Sequence, residues 1–186
     1  MNYFSEQKFT KTDFAELEKA EYENCIFTDI NFSGQNLSDF KFSECDFKGC
    51  DLSNAKIHQT AFRDVIFKNC KMMGLNFEDA HSFNISFKFE DCILDHSSFY
   101  QLDIRKTTFR NCSLKEADFT QTNLSNSFFD HSNLTDAVFD RTVLDSANLK
   151  NAINYSIDPN KNQLKKTKFA KDNLSGLLDR LQIIIE

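Results

Sequence analysis

The chain has 186 residues and a net charge of −6, with 21 Phe, 4 Gly, a single Pro and no Trp. That length suits one domain with a sizeable core, and so few Gly and Pro exclude a collagen-like or loop-dominated chain. No apolar run approaches the roughly 20 residues of a bilayer-spanning helix, and the first residues lack the basic and apolar regions of a signal peptide; the expected location is the cytoplasm, with the 6 Cys reduced.

Phe9, Phe14 and Leu17 look like an irregular first coil that leads into Tyr22. From there an apolar residue recurs every fifth position: Phe27, Phe32, Leu37, Phe42, Phe47, Leu52, Ile57, Phe62, Phe67, Met72 and Phe77. After a break the period resumes at Phe89 and runs through Leu94, Phe99, Ile104, Phe109, Leu114, Phe119, Leu124, Phe129, Leu134, Phe139 and Leu144 to Leu149. If each of these is a centre i, position i−2 is small or modestly apolar (Ala20, Cys25, Ala55, Cys70, Ala117, Ala147), and the other three positions are mostly polar. A period of five fits neither the 3.6 of a helix nor the alternation of a strand. A chain that turns a corner every five residues does fit it, with i and i−2 pointing inward.

Four such sides make a coil of about 20 residues, stacked on the next at the ~4.8 Å strand spacing. The expected fold is therefore all-β: a right-handed quadrilateral β-helix of about six coils over residues 1–152, followed by a capping or dimerisation segment over 153–186. Centres 20 apart are alike, as in Phe99, Phe119 and Phe139, or Leu94, Leu114 and Leu134, which a close-packed stack favours.

Phe77 and Phe89 are 12 residues apart, so the register breaks near 80–88. Either about seven residues loop out around His81, Ser82, Phe83, Asn84 and Ile85, or a two-residue bulge leaves Phe87 inward. A harmless corner insertion and a recognition loop that exposes Phe83 or Ile85 are both open.

The pattern fails at Asn154, and Asp158-Pro159-Asn160 reads as a turn. Asp172 or Asn173 is placed to cap a short α-helix with Leu174, Leu177, Leu178 and Leu181 on one face, followed by Ile183, Ile184 and Ile185 as a strand. Near this tail the outward i−1 positions carry Phe128, Val138 and Val143. Exposed apolar groups gathered at one end suggest a contact surface. Either the tail caps its own shaft or two shafts join through their tails in a two-fold dimer; a homodimer is the expectation.

Cys25, Cys45, Cys50, Cys70, Cys92 and Cys112 all fall at i−2, which makes them inward fillers. No C-x-x-C and no clustered His accompany them, so no metal site is expected. His58, His81, His96 and His131 are scattered, and no glycine-rich phosphate loop appears. The chain is expected to have no catalytic residues and no cofactor, and not to be an enzyme.

Cys112-Ser-Leu-Lys-Glu, Ala117-Asp-Phe-Thr-Gln, Ala137-Val-Phe-Asp-Arg and Ala147-Asn-Leu-Lys-Asn resemble the A(D/N)LxX consensus of the pentapeptide-repeat family. The terminal stretch from Asp158-Pro159 through Leu177-Leu178 to Ile183-Ile184-Ile185 looks like the tail of the Qnr-type quinolone-resistance and microcin-immunity branch. The resemblance implies an end-to-end dimer that imitates DNA and binds DNA gyrase or topoisomerase IV. An interaction scaffold for another protein is the alternative.

Residues 1–152 hold 24 acids and 16 bases, a net −8, whereas 153–186 hold four acids and six bases. Such a shaft is a poor direct partner for nucleic acid; its charge either suits a surface that receives DNA or keeps a rod soluble. Duplex DNA carries one charge per ~1.7 Å, about 18 over a ~30 Å shaft, so mimicry would be confined to one face. The candidates are Glu116, Asp118, Asp130, Asp136, Asp140 and Asp145, with Arg141 as the one base from 116 to 145.

Overall fold

The computed structural model describes residues 2–11, 17–181 and 183–184; Phe14 and Ile185 lie outside the described residues. Each five-residue unit is one short extended side and one corner. The corner turns at i+2, where the backbone is left-handed, as at Asn24 (φ 51°), Asp29 (φ 54°), Asn69 (φ 53°) and Asn126 (φ 61°). Asn, Asp and Gly reach that region at least cost, which explains their frequency there. At many corners where i−1 is Asn or Asp, its side chain closes the corner by accepting the N–H of i+1. Asn31 does so from Ser33 at 2.9 Å, and Asp51 from Ser53 at 2.9 Å. The D/N of the repeat is therefore a turn-forming group.

The sides stack into four parallel faces. The first contains β1 (Asn2–Ser5), β3 (Ala20–Glu23), β5 (Lys41–Ser43) and β7 (Ala61–Arg63), and resumes beyond the break as bridges from Asp103 to Asn123 and from Val143 to Gln163. The second contains β2 (Lys8–Thr10), β4 (Ile26–Thr28), β6 (Asp46–Lys48), β8 (Val65–Lys68), β9 (Phe87–Glu90), β10 (Thr108–Arg110) and β11 (Phe128–Asp130), continued by Asn148 and Lys168. The third is a line of single bridges from Asn31 to Ile153, and the fourth is another through Asn36, Lys56, Asn76, Ser98, Asp118 and Val138. The result is the four-sided parallel β-solenoid expected from the period of five.

The inward centres form columns. On the second face Phe9, Phe27, Phe47, Phe67, Phe89, Phe109 and Phe129 stack nearly parallel, with ring centroids 4.7 Å apart between Phe27 and Phe47 and 5.5 Å between Phe67 and Phe89. A second aromatic column changes sides. It occupies the first face through Phe4, Tyr22, Phe42 and Phe62, then the fourth face through Phe77, Phe99, Phe119 and Phe139.

The switch falls at the break. Phe47 pairs with Phe67, 20 residues on, but Phe67 pairs with Phe89, 22 on. The insertion is therefore two residues, not a seven-residue loop. Phe87 fills the gap left by the departing column, with its ring 5.7 Å from Phe62, 5.2 Å from Phe77 and 5.3 Å from Phe89. Ile85 is buried beside it.

Position i−2 has a second requirement. Many thiols and hydroxyls there donate to a carbonyl of the preceding coil, as Cys70 Sγ does to Phe47 O at 3.4 Å, Thr122 Oγ1 to Phe99 O at 2.7 Å, and Thr142 Oγ1 to Phe119 O at 2.8 Å, while Ser97 and Thr107 donate to a carbonyl three residues back in their own coil. Most small polar side chains thus sit inside an apolar core with a partner; the buried Ser127 hydroxyl is an exception.

The coiling passes the boundary expected at 152. Val143 bridges Gln163 and Asn148 bridges Lys168, both 20 residues on. Asn154 is exposed where a centre should be, and Tyr155 and Ile157 are buried in its place. The tail then folds back over the end of the shaft as two 3₁₀ segments, Lys171–Leu177 and Asp179–Leu181, where an α-helix was expected. Its hydrogen bonds span three residues, as from Leu178 N to Ser175 O and from Leu181 N to Leu178 O. Ala170 stands at its N-cap without a side-chain bond, not Asp172 or Asn173.

Docking explains the tight winding. Gly176 lies against Tyr155, its carbonyl accepts the Ile157 N–H at 2.8 Å, and Tyr155 Oη donates to Asn173 O at 2.6 Å. Ile183 and Ile184 are not in a strand. Among the described residues no helix is long and apolar enough to cross a membrane.

Candidate functional site

The repeat consumes most side chains for folding, so the site must be sought among outward residues that no turn or neighbouring coil explains. The six candidate acids do not share one face. Asp118 lies in the bridge line of the fourth face, Glu116 and Asp136 on the corner leading into it, and Asp140 on the corner leaving it. Asp145 and Asp130 belong to the corners at either edge of the second face, on the far side of the shaft.

Several of them are already engaged. The Asp118 carboxylate accepts the Thr120 N–H at 2.8 Å, and Asp145 accepts the Lys165 N–H at 2.9 Å. Asp130 accepts the Asn151 amide at 2.9 Å and stands 3.7 Å from both Arg110 and His131. Asp140 is paired with Arg141 at 3.1 Å, and Glu116 is 3.4 Å from His96. At the end of the fourth face a concavity gathers Asp136, Val138, Asp140 and Asp158 with Lys161 and Arg180. The fourth face is thus acidic along Glu116, Asp118, Asp136 and Asp140, with bases at its outer end. Asp158, missed in the sequence because its segment breaks the consensus, joins this group by coil stacking.

At the break, His81 is half-buried and its Nδ1 accepts the Phe83 N–H at 3.3 Å. Ser82 and Asn84 are exposed, and Asn84 turns the chain at φ 57°. Phe83 is 64% exposed, whereas Ile85 is buried and cannot meet a partner. Ser86 ties the insertion down: its hydroxyl accepts the Asp64 N–H at 2.7 Å and donates to the Asp64 carboxylate at 3.0 Å.

The proposed apolar contact is also dispersed. Phe128 is exposed on the second face and Val138 on the fourth, and Val143 is half-buried on the first. The three cannot form one patch, because five-residue steps send them to different sides. In the tail Leu177 packs on the core and Leu178 is half-buried, while Leu174, Leu181 (59% exposed), Ile183 and Ile184 (88% exposed) remain open.

All six cysteines are buried free thiols. Burial in the core pushes the Cys45 thiol up to about 12, so it is a poor nucleophile or ligand. Among the described residues no group of three or more His, Cys, Asp and Glu is placed to hold a metal ion.

Two family models match the chain: a pentapeptide repeat region over residues 40–119 and pentapeptide repeats in eight copies over residues 112–151. No curated protein matches it. Among solved structures, trypsin-treated QnrB1, a plasmid-mediated fluoroquinolone resistance protein, superposes with a TM-score of 0.65 at 19% identity, over 99% of this chain and 97% of that one. HetL, a pentapeptide repeat protein involved in heterocyst differentiation regulation from the cyanobacterium Nostoc sp., gives a TM-score of 0.50 at 15% identity, over 89% of this chain and 84% of that one. At these identities the likeness is one of fold.

Proposed function

The chain belongs to the pentapeptide-repeat family, and from that premise we propose that it is a non-enzymatic protein-binding shaft that docks a type II topoisomerase, DNA gyrase or topoisomerase IV, through its acidic fourth face. It would protect that enzyme from quinolones or similar poisons, acting as a tail-to-tail homodimer. The observation that carries this reading is the placement of Glu116, Asp118, Asp136 and Asp140 along one side of the same end of the shaft. That end finishes in a docked tail that leaves Leu174, Leu181, Ile183 and Ile184 uncovered. The nearly full-length superposition on a fluoroquinolone resistance protein supports the choice of target.

The acids are matched to a DNA-binding groove only locally, because Arg141, Lys161 and Arg180 stand at the outer end. A supercoiling assay of DNA gyrase with ciprofloxacin tests the proposal. The intact protein should restore activity, and Glu116→Lys with Asp136→Lys should remove that effect without loss of folding, since neither carboxylate holds a backbone N–H. No protection at any concentration would sink the topoisomerase reading. The scaffold reading rests on Phe83: Phe83→Ser would then abolish capture of the partner while the acid reversals leave it intact.

A further inference from the structure

The second face, opposite the acidic one, carries a local cluster of lysines at its outer end that the proposed function does not use. Beyond the break its i−1 line runs Lys88, Thr108, Phe128, Asn148 and Lys168, and Phe128 is the large apolar group among them, 49% exposed. Two shallow grooves meet at this ring. One is lined by Phe128, Lys106, Asn126, Ser146, Lys166 and Lys168, the other by Phe128 with Thr108, Arg110, Asp130, Asn148 and Asn151. Lys106, Lys166 and Lys168 have no carboxylate within ion-pair distance among the described residues.

The fold does not ask for these lysines. Lys106 and Lys166 occupy the left-handed corner position (φ 64° and 60°), where the same column has Asn at 126 and Ser at 146, although other corners of the chain also take long side chains. A long side chain there is held at a backbone cost that Asn or Gly lessens. Three unpaired cations around an exposed ring, in a chain of net charge −6, mark a place built for an anionic apolar partner.

We propose that this strip of the second face binds a short extended acidic segment of another protein, with two carboxylates on the lysines and an apolar side chain on Phe128. The dimensions select such a ligand. Lys106 and Lys166 are three coils apart, about 14 Å at ~4.8 Å per coil, and carboxylates four residues apart in an extended peptide are separated by about 13 Å. Residues i, i+2 and i+4 of that peptide face the same way, so an acid-x-apolar-x-acid segment presents all three groups to the strip. A nucleic acid strand long enough to bind well would run on to Asp130, Glu90 and Asp91, which lie along the same face.

The test uses fluorescence anisotropy of the full chain with a labelled peptide whose core is Glu-Ser-Leu-Ser-Glu, a second peptide with the two Glu adjacent, and a thymidine 12-mer. The first peptide should bind, weaken about tenfold or more between 50 and 500 mM salt, and bind at least about fivefold better than the rearranged one. Lys166→Gln with Lys168→Gln should weaken it about tenfold, and Phe128→Ser at least about threefold, with the unfolding midpoint unchanged. Lys56→Gln on the fourth face should change nothing.

Absence of peptide binding at millimolar concentration overturns the proposal. So does tighter binding of the thymidine strand, an equal loss from Lys56→Gln, or a Lys168-dependent self-association in sedimentation, which would assign the strip to the acidic face of a second copy. None of these readouts involves topoisomerase.

Discussion

Replacing Phe109 with Ala would interrupt the aromatic column that runs unbroken along the second face. Phe109 is fully buried, lies 5.2 Å from Phe89 and 4.9 Å from Phe129 in stacked geometry, and meets Phe99 and Phe119 edge-on at 5.9 and 6.0 Å. Phe→Ala at such a site costs about 3–5 kcal/mol from lost burial and the cavity left behind, and the severed ring pairs, about 0.5–1.5 kcal/mol each, place Phe109 at or slightly above the upper end of that range. The coil cannot collapse to refill the space, because backbone pairing to the coils above and below fixes its height.

A loss of about 4–6 kcal/mol is expected in urea unfolding followed by circular dichroism, with a broadened transition as the two halves of the solenoid uncouple. Phe109→Leu should cost about 1–2 kcal/mol, since Leu149 already stands in this column beyond Phe129. A loss below about 1 kcal/mol for Ala, or equal losses for Ala and Leu, would refute the ladder as the source of rigidity.

Thr122→Val removes the hydroxyl that serves Phe99 O and should cost about 1–2 kcal/mol, whereas Ser127→Ala, which removes a buried hydroxyl without a partner, should be neutral or stabilising; thermal unfolding compares them. Gly176→Val would drive a side chain into Tyr155 and release the tail, seen as rapid proteolysis after residue 170 with the shaft intact; an unchanged cleavage pattern would contradict the docking. The Cys45 thiol is raised by burial to about 12 from 9.0. Its contribution is therefore fully present below pH about 9 and is lost as pH climbs towards 12, since only the unfolded chain ionises in that window. Stability should fall between pH 8 and 10, by about 1 kcal/mol less in Cys45→Ala than in the parent chain.

The period of five was legible because a corner is a local event: a left-handed residue at i+2 recurs at nearly every bend, often with a turn-closing Asn or Asp at i−1, and each centre must be apolar to face the core. The same regularity hid the site. Asp118 is an acid by composition but a turn residue by geometry, and Phe128, Val138 and Val143 read as neighbours although successive corners turn them to three different sides. Ile85 looked as free as Phe83, because only the position of Phe87 shows which of the two is pulled inward.

The repeating unit, the inward positions and the all-β class are written in the residues alone, because they follow from interactions within five residues and from the likeness of residues 20 apart. The three-dimensional packing settled the size of the insertion, the transfer of the second aromatic column from the first face to the fourth, and the winding of the tail. It also decided that Lys106, Lys166 and Lys168 share a face with Phe128 while Glu116, Asp118, Asp136 and Asp140 lie on the opposite one. Those outcomes depend on stacking between coils, where one two-residue shift at the break re-registers every later neighbour.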